Sequence, residues 1–182
     1  MIVCMDVDYR SEDCAVAAAL AFDSWEADRA ADARVVILDS LVSLYEPGAF
    51  YRRELPCLLA VLAQVPFELE ALVIDGFVFL DPSGRPGLGS HLHNALGHAI
   101  PVVGVAKTPF RPATTALEVR RGSSSKPLWI TSVGMDANDA AAHVRAMHGD
   151  HRVPTLLREV DQLCRTAVTQ RDWRRANVIG CE

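Results

Sequence analysis

The sequence predicts an α/β fold in which antiparallel strands stand beside parallel ones, and three observations carry that reading. The first 45 residues hold three stretches of strand character in succession. Beyond them, segments with helical apolar spacing alternate with short continuous apolar runs. The last third returns to short strands and then to helices.

The opening IVCMDVDYR alternates apolar and polar positions, and the polar turn RSEDC leads into AVAAALAF, so these segments read as a hairpin. Its second strand is built on alanine, which has little strand preference of its own. ARVVILDSLVSLY gives a third strand, rich in β-branched residues and leucine, that Pro47-Gly48 ends. From Phe50 to Ala63 the spacing turns helical, with Leu55, Leu58, Leu59 and Leu62 on one face. LEALVID has the character of a buried strand and closes at Asp75-Gly76. The punctuated loop DPSGRPGLGSH precedes a helix expected over 90–99, and VVGVAK is a further buried strand. LEVRR and PLWITS read as a hairpin, NDAAAHVRAMHG as a helix ending at Gly149, and a last helix begins near Pro154-Thr155. Ribonuclease H-like architecture fits this order, and so does a generic mixed α/β sandwich.

With 182 residues and half of them apolar, the chain suits one domain over 1–182 and has ample material for a buried core. No apolar run reaches the ~20 residues of a membrane-spanning helix. The acidic N-terminus does not resemble a secretory signal, so the expected location is cytoplasmic, with no membrane partner. Five cysteines without C-x-x-C spacing argue against a disulfide framework and against structural zinc. Net charge is −5, yet it is unevenly spread: residues 1–100 carry 6 basic and 15 acidic side chains, residues 101–182 carry 12 and 8. One half can gather carboxylates while the other faces phosphate, a division that suits a metal-dependent nuclease.

Two carboxylates stand where this arrangement makes them expensive. Asp75 ends a buried strand just before a glycine, and Asp6 lies in the first strand with Asp8 on the same side. If strands one and four are neighbours, Asp6 and Asp75 meet and repel unless a cation lies between them. Glu54, from the helix that connects them, could add a third oxygen, and an all-oxygen set selects a hard cation such as magnesium. On residue type alone the alternatives stay open: an aspartate before glycine also serves a turn, and a glutamate in a first helical turn complements the helix dipole.

The strings YEPGAFYRRELP, VIDGFVFLDPSGRPGLGSHL, PVVGVAK, KPLWITSVGMD and HRVPTLLREVD occur in this order. Together they resemble the endonuclease V family of deoxyinosine-directed nucleases, over about Ile2 to Asp161. The resemblance implies a ribonuclease H-like mixed sheet flanked by helices, a Mg²⁺ cofactor with Mn²⁺ as substitute, and hydrolysis of DNA, or RNA, near a deaminated base such as hypoxanthine. Residue by residue, it implies Asp6, Glu54 and Asp75 as metal ligands, with Lys107 and Asp161 completing the catalytic set. Tyr45, Pro47 and Gly48 match the loop that wedges beside the lesion. Backbone groups of the Gly48 and Gly76 turns would hold the displaced base, with Tyr45 or Phe77 stacking to fill the space it leaves, and Arg152 and Arg158 match arginines expected at the phosphate backbone. The loop after Asp75 departs from the family pattern, lacking its two histidines and its arginine, so phosphodiester chemistry is carried more strongly than inosine recognition. The rival reading is a non-catalytic nucleic-acid or protein-binding module that keeps the nuclease fold. The oligomeric state is not legible.

Overall fold

A computed structural model describes residues 1–11, 14–39, 50–110 and 116–167. In chain order the elements are β1 (Ile2–Ser11), β2 (Cys14–Phe22), β3 (Asp32–Asp39), α1 (Tyr51–Leu62), β4 (Ala71–Asp75), α2 (Leu88–Ala95), β5 (Val102–Ala106), β6 (Leu117–Val119), β7 (Leu128–Val133), α3 (Ala137–Ala146) and α4 (Thr155–Thr166). The strands form one mixed sheet in the order β3-β2-β1-β4-β5-β7-β6. β1, β2 and β3 are joined antiparallel, β1, β4 and β5 run parallel, and β7 and β6 return antiparallel. The sequence order of strands and helices is therefore the one found.

Strand alternation divides the core into two layers. Val3, Met5, Leu72 and Ile74 pack with Leu58 and Val61 of α1 and Leu92 of α2. Ile2, Cys4, Val73 and Val105 pack with Val144 of α3 and Leu156 and Val160 of α4. The alanine-rich β2 is buried along its whole length, because α1 lies over one face of it and α4 over the other. Small side chains on both faces let two helices approach, which is why weak intrinsic preference is overruled here.

Several boundaries differ from expectation for visible reasons. β3 stops at Asp39, and the 40–45 stretch predicted to continue it lies outside the described residues, together with Pro47 and Gly48. α2 ends at Ala95, short of the predicted 99, because Gly97 and His98 both take positive φ, 66° and 63°. α3 ends at Ala146 because the buried Arg121 guanidinium collects the carbonyls of Arg145, Met147 and Gly149. Cys4, Cys14, Cys57 and Cys164 are buried free thiols that pack in the core. Trp25 is likewise a core residue, stacked on His143 at 4.6 Å. Among the described residues no helix is long and apolar enough to cross a membrane.

Candidate active site

The site forms where β4 ends against its longer neighbour β1. The parallel ladder runs from Ile2↔Ala71 to Met5↔Ile74, so Asp6 and Asp75 are the next residues on adjacent strands. β1 continues beyond Asp6 paired only with β2, which leaves an open sheet edge at this point. Openings beyond the carboxyl ends of parallel strands are where α/β folds build their sites. Gly76 then turns the chain at φ +132°. Gly104 makes that turn possible from the neighbouring strand. A Cβ there would lie 2.6 Å from the Gly76 carbonyl and 2.8 Å from Thr131 Oγ1. Thr131 Oγ1 in turn accepts from the Val78 N–H at 2.8 Å, fixing the start of the loop.

Glu54 reaches the same place from α1, one turn before the buried Leu58. The first turn of α1 is held by β1: the Arg53 guanidinium lies 4.4 Å from the centre of the Tyr9 ring. Asp6, Glu54 and Asp75 together line one cavity of about 10 Å³, room for roughly one water or ion. Burial pushes the Asp6 carboxyl well above the usual carboxylate range, and the charge of Asp75 adds to this, partly offset by the Val7 N–H that donates to Asp6 Oδ1 at 2.8 Å. Glu54 is pushed up to about 8, first by burial and then by Asp6 and Asp75. Among the described residues neither Asp6 nor Glu54 has an ion-pair partner.

Lys107 follows β5 and donates from Nζ to Asp75 Oδ2 at 2.7 Å, with Asp161 Oδ1 of α4 at 3.9 Å. Burial alone would lower this ammonium, but the hydrogen bond and charge of Asp75, with Asp161 and Asp6, hold it above its ordinary value. Asp161 is also bridged by Arg165 at 3.1 Å. Asp75 is thus hydrogen-bonded to Lys107, and among the described residues no group of three histidine, cysteine or acidic side chains is placed to hold an ion.

Of the other expected site residues, Gly76 and Phe77 line an adjoining cavity of about 320 Å³. Its remaining walls include Tyr51, Arg85 and Phe110, residues that the sequence did not single out. Phe77 and Phe110 meet at 6.3 Å between ring centres, and Arg85 lies 5.5 Å from the Phe110 ring. Phe110 stands three residues after Lys107, and only that proximity to the GVAK block could have marked it. His91 packs at the start of α2, stacked on Tyr51 at 3.6 Å. Arg158 is exposed on α4, whereas Arg152 is partly buried, with its Nη2 on the main-chain carbonyls of Lys107 and, at 2.7 Å, Pro127. Tyr45, Pro47 and Gly48 lie outside the described residues.

A sheet of this strand order, with acids gathered at the edge of its parallel core, is a ribonuclease H-like arrangement. A family model described as Endonuclease V matches residues 1–135. The Endonuclease V of Streptomyces avermitilis is 34% identical over 188 residues, covering 91% of this chain and 80% of the relative. A crystal structure of Endonuclease V from the same species superposes with a TM-score of 0.71 at 29% identity, over 97% of this chain and 82% of that one. The Endonuclease V of Ciona intestinalis gives 0.72 at 18% identity, over 90% and 83%, and speaks to the fold alone. The chain belongs to the endonuclease V family.

Proposed function

We propose that this protein is an endonuclease that hydrolyses phosphodiester bonds in DNA, or RNA, near a deaminated base such as hypoxanthine, with Mg²⁺ or Mn²⁺ held by Asp6, Glu54 and Asp75. One observation carries the reading: three acids from three separate elements line a single ion-sized cavity. Family membership supports a nuclease, and the Ciona intestinalis relative is a complex with DNA containing an inosine followed by a ribo-adenosine.

The donor set suits a hard divalent cation. It is all oxygen, and its two most buried members resist ionisation because of burial and mutual repulsion, which a cation would relieve. When bound, the ion supplies a Lewis acid that offsets phosphate charge and acidifies an attacking water. The remaining work falls to the chain's own residues. Lys107 keeps its proton at Nζ and provides fixed positive charge against the negative charge that builds on the phosphoryl oxygens. Asp161, 3.9 Å from that ammonium, offers a carboxylate to orient the water. The displaced base would rest on the Gly76 main chain, where no atom lies within 4 Å of the place a Cβ would take, and against the Phe77 ring. Tyr45, Pro47 and Gly48 would fill the space it leaves. Arg158, exposed on α4, would contact the phosphate backbone.

The test is cleavage of end-labelled single- and double-stranded DNA and RNA, each with and without one hypoxanthine, in Mg²⁺ or Mn²⁺, with D75N alongside. The reading expects metal-dependent cutting of the hypoxanthine strands that D75N loses. Cleavage of no substrate, or equal cleavage by D75N, would leave the non-catalytic binding module.

A further inference from the structure

We infer that Arg152 is a positioning residue that sets the Lys107 ammonium, rather than a contact to the phosphate backbone. The inference rests on the proposed catalytic role of Lys107. Its basis is where the guanidinium points. Nη2 donates to the carbonyl of Lys107 itself and, at 2.7 Å, to that of Pro127. Nε is buried and has no hydrogen-bond partner among the described residues, so solvent and phosphate do not reach it. One side chain therefore ties together the residue after β5, the residue before β7 and the segment leading into α4, the helix that carries Asp161. Of the two anionic neighbours of the Lys107 ammonium, Asp161 sits on α4, which this knot joins to the Lys107 main chain, and Asp75 ends β4, the strand paired with β5.

The knot is itself braced from behind. Arg121, only 7% exposed, donates to the carbonyls of Arg145, Met147, Gly149 and His151. His151 is the residue before Arg152, so the turn that aims Arg152 is fixed by four hydrogen bonds from the buried Arg121. An arginine whose guanidinium donates to main-chain carbonyls builds geometry, since those carbonyls carry no charge to be neutralised. A displacement of Lys107 by about 1 Å is enough to slow chemistry by roughly a hundredfold.

The chain contains two lysines, Lys107 and Lys126, which makes a direct readout available. With ¹³Cε-labelled lysine, the protein shows two side-chain resonances, and K126R assigns the one belonging to Lys107. R152A should move the Lys107 resonance toward that of an unstructured lysine while the fold persists. It should lower kcat about ten- to hundredfold, with KM and the salt dependence of DNA binding unchanged. R152K should recover most of the rate, because a single nitrogen serves both carbonyls; as it adds a third lysine resonance, its readout is the rate alone. The inference is overturned if R152A leaves the Lys107 resonance and kcat unchanged, or if it flattens the slope of log Kd against log salt by about 1, the mark of a lost phosphate contact. A K107A enzyme as fast as the wild type would sink the role given to Lys107 instead, and the resonance would still decide the part played by Arg152.

Discussion

Asp6 and Asp75 are neighbours across the β1–β4 ladder, each one residue beyond the last paired positions, Met5 and Ile74. Among the described residues, the ammonium of Lys107 stands against this pair, hydrogen-bonded to Asp75. Asp6 and Glu54 are left to be kept neutral by burial or to be ionised beside a cation. The shortage of positive charge at this edge links the stability of the fold to its proposed chemistry.

Removing the lysine should separate rate from ion binding. K107A is expected to lower single-turnover cleavage by about 10²–10³, as loss of one transition-state charge donor does. Affinity for Mn²⁺ should hold or rise, because Asp75 no longer has a competing cation at 2.7 Å. Cleavage and metal titration on the same preparation check both.

Without metal, stability should fall as pH rises. Glu54 binds its proton more tightly in the fold, at about 8, than in the unfolded chain, at about 4.5, so over that interval the native state holds a proton that the unfolded chain has released. The stabilisation is complete at about pH 4 and lost through pH 8, at a cost of roughly 3–5 kcal/mol for such a buried carboxyl. Urea midpoints in EDTA should drop across that range. E54Q should flatten the drop, and Mg²⁺ should restore the wild type at pH 8.

Gly104→Ala should destabilise the protein by about 2–4 kcal/mol, because the added methyl meets main chain as well as the Thr131 hydroxyl. Relief would have to open β5 from the Gly76 turn, so residual activity should fall together with the urea midpoint.

The meeting of the acids was legible because two independent signals fell on them: strand order placed Asp6 beside Asp75, and the family resemblance matched Asp6 through the aspartate of strand one, Glu54 through the RE of YRRELP and Asp75 through the DG of VIDGF. The alanine-rich β2 was legible as a strand only through its place in the hairpin, since its stability comes from helices on both faces. Other features had no local signature. The aromatic cavity assembles Tyr51, Phe77 and Phe110 from three distant segments, and their spacing in sequence says nothing of their meeting. Arg152 matched a family arginine, yet its direction depends on Arg121 bracing the turn before it, a tertiary fact. The early end of α2 reflects a left-handed His98, which residue type does not foretell.

Arg158, unlike Arg152, is expected to behave as a phosphate contact. R158A should weaken binding to all DNA sequences alike and reduce the slope of log Kd against log salt by about 1, with kcat at saturating substrate unchanged. Fluorescence anisotropy across a salt series measures it.

Mn²⁺ binding followed by electron paramagnetic resonance probes most directly whether three acids from β1, α1 and β4 converge on a shared divalent ion. The expected result is a saturable site that Mg²⁺ displaces and that weakens at least about tenfold in each of D6N, E54Q and D75N. Equal Mn²⁺ affinity in the wild type and in the triple variant would contradict it.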